Sequence, residues 1–151
     1  MCFHRKNVAF IQWLATACSR EIPKGFIGVG EDYIISSGTL EYLQAFATCK
    51  RYGKTLVTEQ TEAETLEFNT VLNNAGLAAR NYWIGGIYQR DTEFSPEWIW
   101  IDSGKVFNYT NWYTTPSTSY YCVRKYPSAT YSGKWSAESC TTAYYFACKN
   151  N

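Results

Sequence analysis

Histidine is nearly absent from this sequence of 151 residues, and the one copy is His4. His4 lies in an amino-terminal segment that we expect to be removed, so the mature chain would hold no imidazole. That excludes histidine-based acid–base catalysis and imidazole zinc sites. Residues 103–151, which are rich in loops, contain a single acidic residue and so offer no pair of carboxylates in its place. We therefore predict that the protein is not an enzyme and has no catalytic residue.

Excess charge and long apolar runs are missing as well. The chain carries 14 basic and 13 acidic residues, a net charge of +1, whereas nucleic-acid binders usually show a basic excess or stripe. The longest apolar stretch, residues 8–17, is too short to span a bilayer. We therefore predict no nucleic-acid partner and no membrane span.

The amino terminus has the features of a signal peptide. A basic start at residues 4–6 precedes the apolar stretch at residues 8–17, and small residues follow. We predict a signal peptide over residues 1–19, a mature domain over residues 20–151, and a secreted, extracellular protein. The alternative is an ordered amino-terminal strand.

The position of signal-peptide cleavage determines how many of the six cysteines remain in the mature chain. Cleavage after Ser19 would leave an even set, namely Cys49, Cys122, Cys140 and Cys148. Cleavage after Ala17 would retain Cys18 as an odd thiol able to form a disulfide-linked dimer. In an uncleaved chain, Cys18 could instead bond to Cys2. The sequence leaves these possibilities open, and four cysteines permit three pairings.

Two helices are predicted in the first half of the chain. After a strand at Tyr33–Ser36, a helical face opens at Thr39 and comprises Leu40, Leu43, Phe46 and Ala47, and Gly53 ends the helix. Thr61 and Glu64 form a capping box for the second helix, which Gly76 follows. Its expected buried residues are Ala63, Leu66, Phe68, Val71 and Leu72, and its acidic residues Glu62, Glu64 and Glu67 should face solvent.

From Asn81 onward, short aromatic and β-branched runs alternate with turn residues, a pattern typical of strands and loops. The predicted strands are Tyr82–Ile87, Glu97–Ile101, Tyr121–Arg124, Gly133–Trp135 and Tyr144–Lys149. Helices followed by a strand-rich half indicate an α+β fold.

Several motifs agree in their order along the chain with one known family. They are Trp83-Ile84-Gly85-Gly86, Trp98 and Trp100 ahead of Asp102, Asn111-Trp112, Cys122-Val123, Gly133-Lys134-Trp135, Cys140 and Phe146-Ala147-Cys148. From Tyr33 to Asn150 the chain resembles the C-type-lectin-like domains. It departs from them at Gly86, where the family usually has leucine, and at Ser103, which separates Asp102 from Gly104.

The resemblance implies an architecture of two helices, two small antiparallel sheets and a long irregular loop that carries the ligand site. That loop should lie within Lys105–Tyr121. The resemblance also implies nested disulfide bonds, Cys49 to Cys148 and Cys122 to Cys140.

Calcium ligands of the sugar-binding members are not present at the corresponding positions. Those members carry Glu-Pro-Asn or Gln-Pro-Asp in the loop and Trp-Asn-Asp after it, whereas this chain has Thr115-Pro116-Ser117 and Trp135-Ser136-Ala137. No Asp or Glu occurs from Ser103 to Ala137, although calcium sites normally include carboxylates. Four bases in this segment should repel a divalent cation: Lys105, Arg124, Lys125 and Lys134. We predict a lost calcium site and no cofactor.

Tyrosine and hydroxyl residues dominate the region where the ligand site is expected, a composition like that of antibody contact loops. The region is also positive, since residues 103–151 carry five basic and one acidic group, a sum of +4, against −3 for residues 1–102. The candidate ligand-binding residues are Tyr113, Thr115, Ser117, Tyr120 and Tyr131. We expect about half of the six tyrosines in this part of the chain to face the core, namely half of Tyr109, Tyr113, Tyr120, Tyr121, Tyr126 and Tyr131.

The predicted function is calcium-independent recognition of a protein or of an anionic or uncharged glycan. The alternative is a calcium-dependent carbohydrate-binding lectin, whose ion would need ligands such as Asp102, Asn108 and Asn111. Asn108-Tyr109-Thr110 is also an N-glycosylation acceptor triplet. A glycan on Asn108 would shield part of the same face.

Overall fold

The two longer helices lie in the first half of the chain and most of the strands follow them in the computed structural model, which describes residues 21–90 and 93–151. The predicted signal peptide, its cleavage sites and Cys18 lie outside the described residues. The elements in chain order are β1 (Phe26–Val29), β2 (Tyr33–Ser36), α1 (Tyr42–Arg51), β3 (Thr55–Leu56), α2 (Glu62–Asn74), β4 (Tyr82–Gln89), β5 (Glu97–Trp100), β6 (Cys122–Lys125), α3 (Ser128–Tyr131), β7 (Trp135–Glu138) and β8 (Tyr145–Lys149). The α+β fold class is confirmed.

Strand β8 joins the two groups of strands. Its second half pairs antiparallel with β2 and β3, and β1 continues this group beyond β2. Its first half runs parallel to β4, with Tyr82 opposite Tyr145 and Trp83 opposite Phe146. Strand β4 also pairs with β5 and β6, and β7 pairs with β6. The two antiparallel sheets that we expected are therefore continuous through one short parallel pairing.

Helix α1 is rotated relative to the sequence prediction. It begins at Tyr42, because Leu40 pairs with Tyr144 in an isolated β-bridge instead of entering the helix. The predicted apolar face is wrong: Leu43 is 66% exposed, and the buried residues are Tyr42, Ala45 and Cys49. Two tertiary contacts hold this rotation, a disulfide bond from Cys49 and the packing of the Tyr42 ring on Trp83 at 5.4 Å.

Helix α2 begins with the predicted cap. The Thr61 side chain accepts a hydrogen bond from the Glu64 backbone N–H at 3.2 Å, and the Glu64 carboxylate accepts one from Gln60 N–H at 2.6 Å. The predicted buried side is partly wrong, since Leu66 is 58% exposed and Ala63 is exposed. The buried residues are Thr65, Phe68 and Leu72. Glu62 and Glu67 are exposed and Glu64 is half-buried.

Two disulfide bonds tie the chain together in the nested arrangement that the resemblance implied. Cys49 bonds to Cys148, 99 residues away, and Cys122 bonds to Cys140. In the chain-entropy model a closed loop of about 100 residues contributes roughly 4.7 kcal/mol of stability. The first bond links α1 to the last strand, and the second links the start of β6 to the turn after β7.

Gly86 is accounted for by the loop that follows β5. A Cβ atom at this position would lie 2.6 Å from Cζ of Phe107 and 2.7 Å from Cγ2 of Val123. The Phe107 ring therefore packs directly on the backbone at Gly86, where a side chain could fit only if its neighbours moved. This departure from the family pattern is part of how the long loop packs on the sheet.

Candidate functional site

The chain between β5 and β6, residues 101–121, contains neither a helix nor a strand and runs over a cluster of aromatic side chains. We call this cluster the aromatic anchor, and its members are Trp98, Trp100, Phe107, Trp112 and Trp135. Phe107 packs on Trp100 at 4.3 Å between ring centroids, and Trp112 packs on Trp98 at 4.7 Å. Phe107 and Trp112 belong to the loop, so the anchor fixes the loop to β5 and β7.

Backbone hydrogen bonds add to this attachment. Trp135 donates its N–H to the carbonyl of Asn111 at 2.8 Å, and its own carbonyl accepts from Tyr113 N–H at 2.9 Å. Phe107 N–H donates to Trp98 at 2.9 Å. The loop is thus irregular but held at both its start and its middle.

Three tyrosine rings meet beside this anchored segment, and we call them the tyrosine cluster: Tyr113, Tyr126 and Tyr131. The ring centroids are 5.5 Å apart for Tyr113–Tyr126, 5.5 Å for Tyr113–Tyr131 and 5.0 Å for Tyr126–Tyr131. Tyr113 is 54% and Tyr131 42% exposed. The half-buried Tyr126 ring rests on the Arg124 guanidinium, 4.0 Å from its centroid. The cluster therefore exposes an aromatic surface to solvent, and the Arg124 guanidinium packs against its half-buried ring.

A tight turn carries Tyr131 to the cluster. Helix α3 is a single turn, and Ser132, the residue that caps its carboxyl end, has a φ of 54°. Gly133 follows with a φ of 66°. Two consecutive left-handed residues reverse the chain sharply into β7. The Ser132 carbonyl accepts a hydrogen bond from the Asn69 side chain at 3.1 Å, which ties this turn to α2.

The predicted site residues are distributed over more than one surface. Tyr113 and Tyr131 come together, and Thr115 and Ser117 are exposed on the loop between Tyr113 and β6. Tyr120 is exposed but lies outside the tyrosine cluster. Sequence reasoning counted Tyr126 among the six tyrosines but did not select it as a site residue, because its position after β6 gives no sign that the loop returns to it. Half of the six tyrosines are exposed, Tyr113, Tyr120 and Tyr131, and the others are half-buried.

A separate shallow groove lies next to Tyr120. Its lining includes Tyr88, Arg90, Ser119 and Tyr121, and Arg90 donates a hydrogen bond to the Tyr121 hydroxyl. Backbone pairing holds the two walls together, since Tyr88 N–H donates to the Tyr121 carbonyl at 2.7 Å. The end of the loop is therefore attached to β4 independently of the tyrosine cluster.

Two of the four bases that were expected to repel a cation form ion pairs with carboxylates. Arg124 forms an ion pair with Glu138 at 2.7 Å. Lys125 is fully buried and pairs with Glu59 at 2.6 Å. Burial lowers the pKa of Lys125, and Glu59 opposes that shift. Two of the four bases named from the sequence therefore contribute little net positive charge to the surface.

Oxygen atoms that could serve a cation already have other partners. Asp102 accepts from Lys50 at 2.7 Å, and the Asn111 side-chain oxygen accepts from Lys134 at 3.2 Å. Across residues 21–90 and 93–151, no three His, Cys, Asp or Glu side chains are grouped so that they could hold a metal ion. Asn108 is exposed.

Fold and site together define a disulfide-bonded α+β domain with a long, aromatically anchored loop. The sequence profile of the family described as Lectin C-type domain matches residues 38–150, so the chain belongs to this family. A search of curated protein sequences gives no match. In the described part of the chain, none of the helices combines the length and apolar character needed to cross a bilayer.

Solved structures of the same fold include human lithostathine, with 26% identity and a TM-score of 0.65, covering 85% of this chain and 98% of that one. A mouse scavenger receptor C-type lectin carbohydrate-recognition domain has 21% identity and a TM-score of 0.65, with coverage of 85% and 95%. A calcium-independent type II antifreeze protein has 20% identity and a TM-score of 0.63, with coverage of 85% and 92%.

Proposed function

We propose that the chain is a secreted recognition domain that binds a glycan or protein ligand without calcium through the tyrosine cluster. The observation that carries this proposal is the mutual packing of Tyr113, Tyr126 and Tyr131 with two rings exposed. Tyrosine offers a large, rigid contact area at small entropic cost, and its hydroxyl adds hydrogen bonds. The exposed hydroxyls of Thr115 and Ser117 would extend this surface.

Among glycans, an uncharged sugar suits this surface best. The two bases closest to the cluster in sequence, Arg124 and Lys125, are neutralised by Glu138 and Glu59. The apolar face of a sugar ring would stack on an exposed tyrosine, and its hydroxyls would bond to tyrosine, threonine and serine. Affinity per site would be weak, so several copies on one surface would raise the overall binding strength.

Independence from calcium is supported by the partners of the available oxygen atoms. The alternative, a calcium-dependent carbohydrate-binding lectin, would need Asp102, Asn108 and Asn111 or similar groups to converge on one ion. Asp102 would have to leave Lys50, and Asn111 would have to leave Lys134. These rearrangements would gain one carboxylate, whereas calcium takes six to eight oxygen ligands.

Secretion, N-glycosylation at Asn108, and the lack of catalysis are parts of the same proposal. Exposure of Asn108 is compatible with glycosylation. A loss of mass upon enzymatic deglycosylation, absent in Asn108→Gln, would verify it. If Cys18 is retained after cleavage, the secreted protein should run as a dimer on a non-reducing gel and as a monomer on a reducing gel.

Immobilised neoglycoproteins that carry mannose, galactose or N-acetylglucosamine test the proposal. We expect binding to at least one of them in excess chelator, unchanged by added calcium. Tyr113→Ala and Tyr131→Ala should each weaken that binding about tenfold, the size of effect typical of aromatic residues at the centre of an interface. Tyr52→Ala is the matched control, because Tyr52 is 43% exposed at the end of α1 and should leave binding unchanged. Binding that requires calcium would favour the alternative.

A further inference from the structure

We propose that Glu59 and Lys125 are positioning residues of the tyrosine cluster, whose buried ion pair holds both chain segments that carry the three rings. The inference rests on the proposed function, in which this cluster contacts the ligand. Neither side chain can touch a ligand itself, because both are fully buried. Their effect must pass through the residues that they hold.

The first segment is the turn between β6 and β7. Lys125 is the last residue of β6 and directly precedes Tyr126. Its Nζ donates a hydrogen bond at 3.1 Å to the carbonyl of Gly133, two residues after Tyr131. One buried ammonium group thus fixes the start and the end of the turn that contains two of the three rings.

The second segment is the long loop. Trp135 lies opposite Lys125 in the β6–β7 pairing, and its indole N–H donates to the Glu59 carboxylate at 2.5 Å. The backbone carbonyl of the same tryptophan accepts from Tyr113 N–H at 2.9 Å. Glu59 therefore determines where Trp135 lies, and Trp135 determines where Tyr113 lies.

Both oxygens of the Glu59 carboxylate are needed for this arrangement. Oε1 faces Lys125, while Oε2 accepts from Trp135 and from the Thr65 hydroxyl at 3.1 Å. A glutamine at position 59 has one acceptor oxygen and one NH₂ group, so it can serve Lys125 or Trp135 but not both. Loss of either partner should release one of the two segments.

Glu59→Gln, measured by NMR contacts between tyrosine ring protons, tests the inference without any ligand. We expect the contacts of Tyr113 with Tyr126 and Tyr131 to be lost. Ile34→Ala is the control, because it removes buried apolar volume from the separate core cluster around Trp83 and should keep these contacts. Ring contacts that persist in folded Glu59→Gln would overturn the inference, and so would their equal loss in Ile34→Ala at a comparable melting temperature.

Trp135→Phe keeps the test decisive if Glu59→Gln does not fold. This variant removes the indole N–H while an aromatic ring remains in the anchor. We expect Tyr113 to separate from the cluster while Tyr126 and Tyr131 stay in contact through Lys125. Separation of all three rings to the same extent would contradict the inference that Glu59 positions Tyr113 while Lys125 positions the turn that carries the other two rings.

Binding to the neoglycoproteins is the second readout. In Glu59→Gln, it should weaken about tenfold, in line with the loss of a central aromatic residue, while Ile34→Ala should bind as the parent protein does. If the parent binds none of the glycans but the ring contacts of Tyr113 are still lost in Glu59→Gln, the positioning role stands and the proposed ligand class fails. If glycan binding depends on Tyr113 but survives in Glu59→Gln, the positioning role fails and the proposed function stands.

Discussion

The Nζ of Lys125 lies 2.6 Å from Oε1 of Glu59, and both side chains are completely excluded from solvent. The two residues are 66 positions apart and belong to different halves of the chain, one just before α2 and the other at the end of β6. Their pairing joins the segment that precedes α2 to the end of β6, next to the tyrosine cluster.

Removal of one partner of this pair should be strongly destabilising. Lys125→Met leaves the Glu59 carboxylate buried without a counter-charge, and losses of about 3–5 kcal/mol are typical of such changes. Glu59→Leu combined with Lys125→Met should recover much of that loss, because both charges are then replaced by apolar groups. Denaturant unfolding followed by tryptophan fluorescence measures the free energy. A cost below about 1 kcal/mol for the single variant, the usual value for exposed ion pairs, would contradict the burial.

Gly133→Ala should destabilise the domain more than the same change at another left-handed glycine. At position 133 φ is 66°, and an added Cβ would overlap Lys125 Nζ and Asn69 Oδ1. Gly104 has φ of 70° with open space around it. Gly104→Ala therefore reports the backbone cost alone, about 1–2 kcal/mol. The excess cost of Gly133→Ala in denaturant unfolding measures the overlap with Lys125 and Asn69, and equal costs would show that the close packing on Gly133 is unimportant.

Gly86→Ala tests the close packing of the Phe107 ring on the backbone at Gly86. The added methyl group would collide with the Phe107 and Val123 side chains, and overpacking of this kind costs typically 1–3 kcal/mol. Combination with Phe107→Ala should reduce this penalty, because the space then becomes available. The comparison is a double-mutant cycle of unfolding free energies. Additive effects of the two substitutions would contradict the packing described for the loop.

Alkaline pH should destabilise the fold through buried tyrosines. Burial raises the pKa of Tyr82 to about 12 and raises the pKa of Tyr33 and Tyr42 well above the ordinary range. These groups keep their protons in the folded state, while the unfolded chain releases them above about pH 10. The unfolded state then binds fewer protons, so stability falls as pH rises from about 10 towards each folded pKa.

Each such tyrosine weakens the fold by up to about 1.36 kcal/mol per pH unit in that range. Burial also raises the pKa of Tyr144, whereas it lowers the pKa of Lys125, so one group that acts in the opposite direction stands against four tyrosines. Denaturant unfolding from neutral pH to about pH 11, with tyrosinate absorbance recorded in parallel, measures the effect. Stability that does not change above about pH 10, with all tyrosines ionised in the native protein, would contradict the raised pKa of the buried tyrosines.

Local signals in the sequence predicted much of the fold. The Thr61 cap of α2 and most strand positions follow from patterns that act over a few residues, and the motif order around Trp83 and Cys148 led to the family. The buried face of α1 did not follow, because Cys49 and Tyr42 face distant partners that a helical period does not contain. Strand β3 was missed because it has two residues and pairs only with the remote strand β8, and β1 was missed although it forms a local hairpin with β2.

The candidate site could be predicted only in part. Composition pointed to Tyr113 and Tyr131, but their contact depends on how the loop folds back over Trp135. The contact of Tyr126 with these two rings and the role of Lys125 were not predicted for the same reason: Lys125 was counted as a surface base, although Glu59 pairs with it across 66 residues. A count of charges along the sequence therefore did not show that Arg124 and Lys125 are paired.

The most direct test of calcium independence, the central claim, is the melting temperature of the secreted protein in millimolar calcium and again in excess chelator. A ligand present at a hundred times its dissociation constant stabilises the native state by about 2.7 kcal/mol, which raises melting by roughly 5 to 15 °C in a domain of this size. We predict the same melting temperature under both conditions. A rise of that size in calcium would contradict the account and make the calcium-dependent lectin the better description.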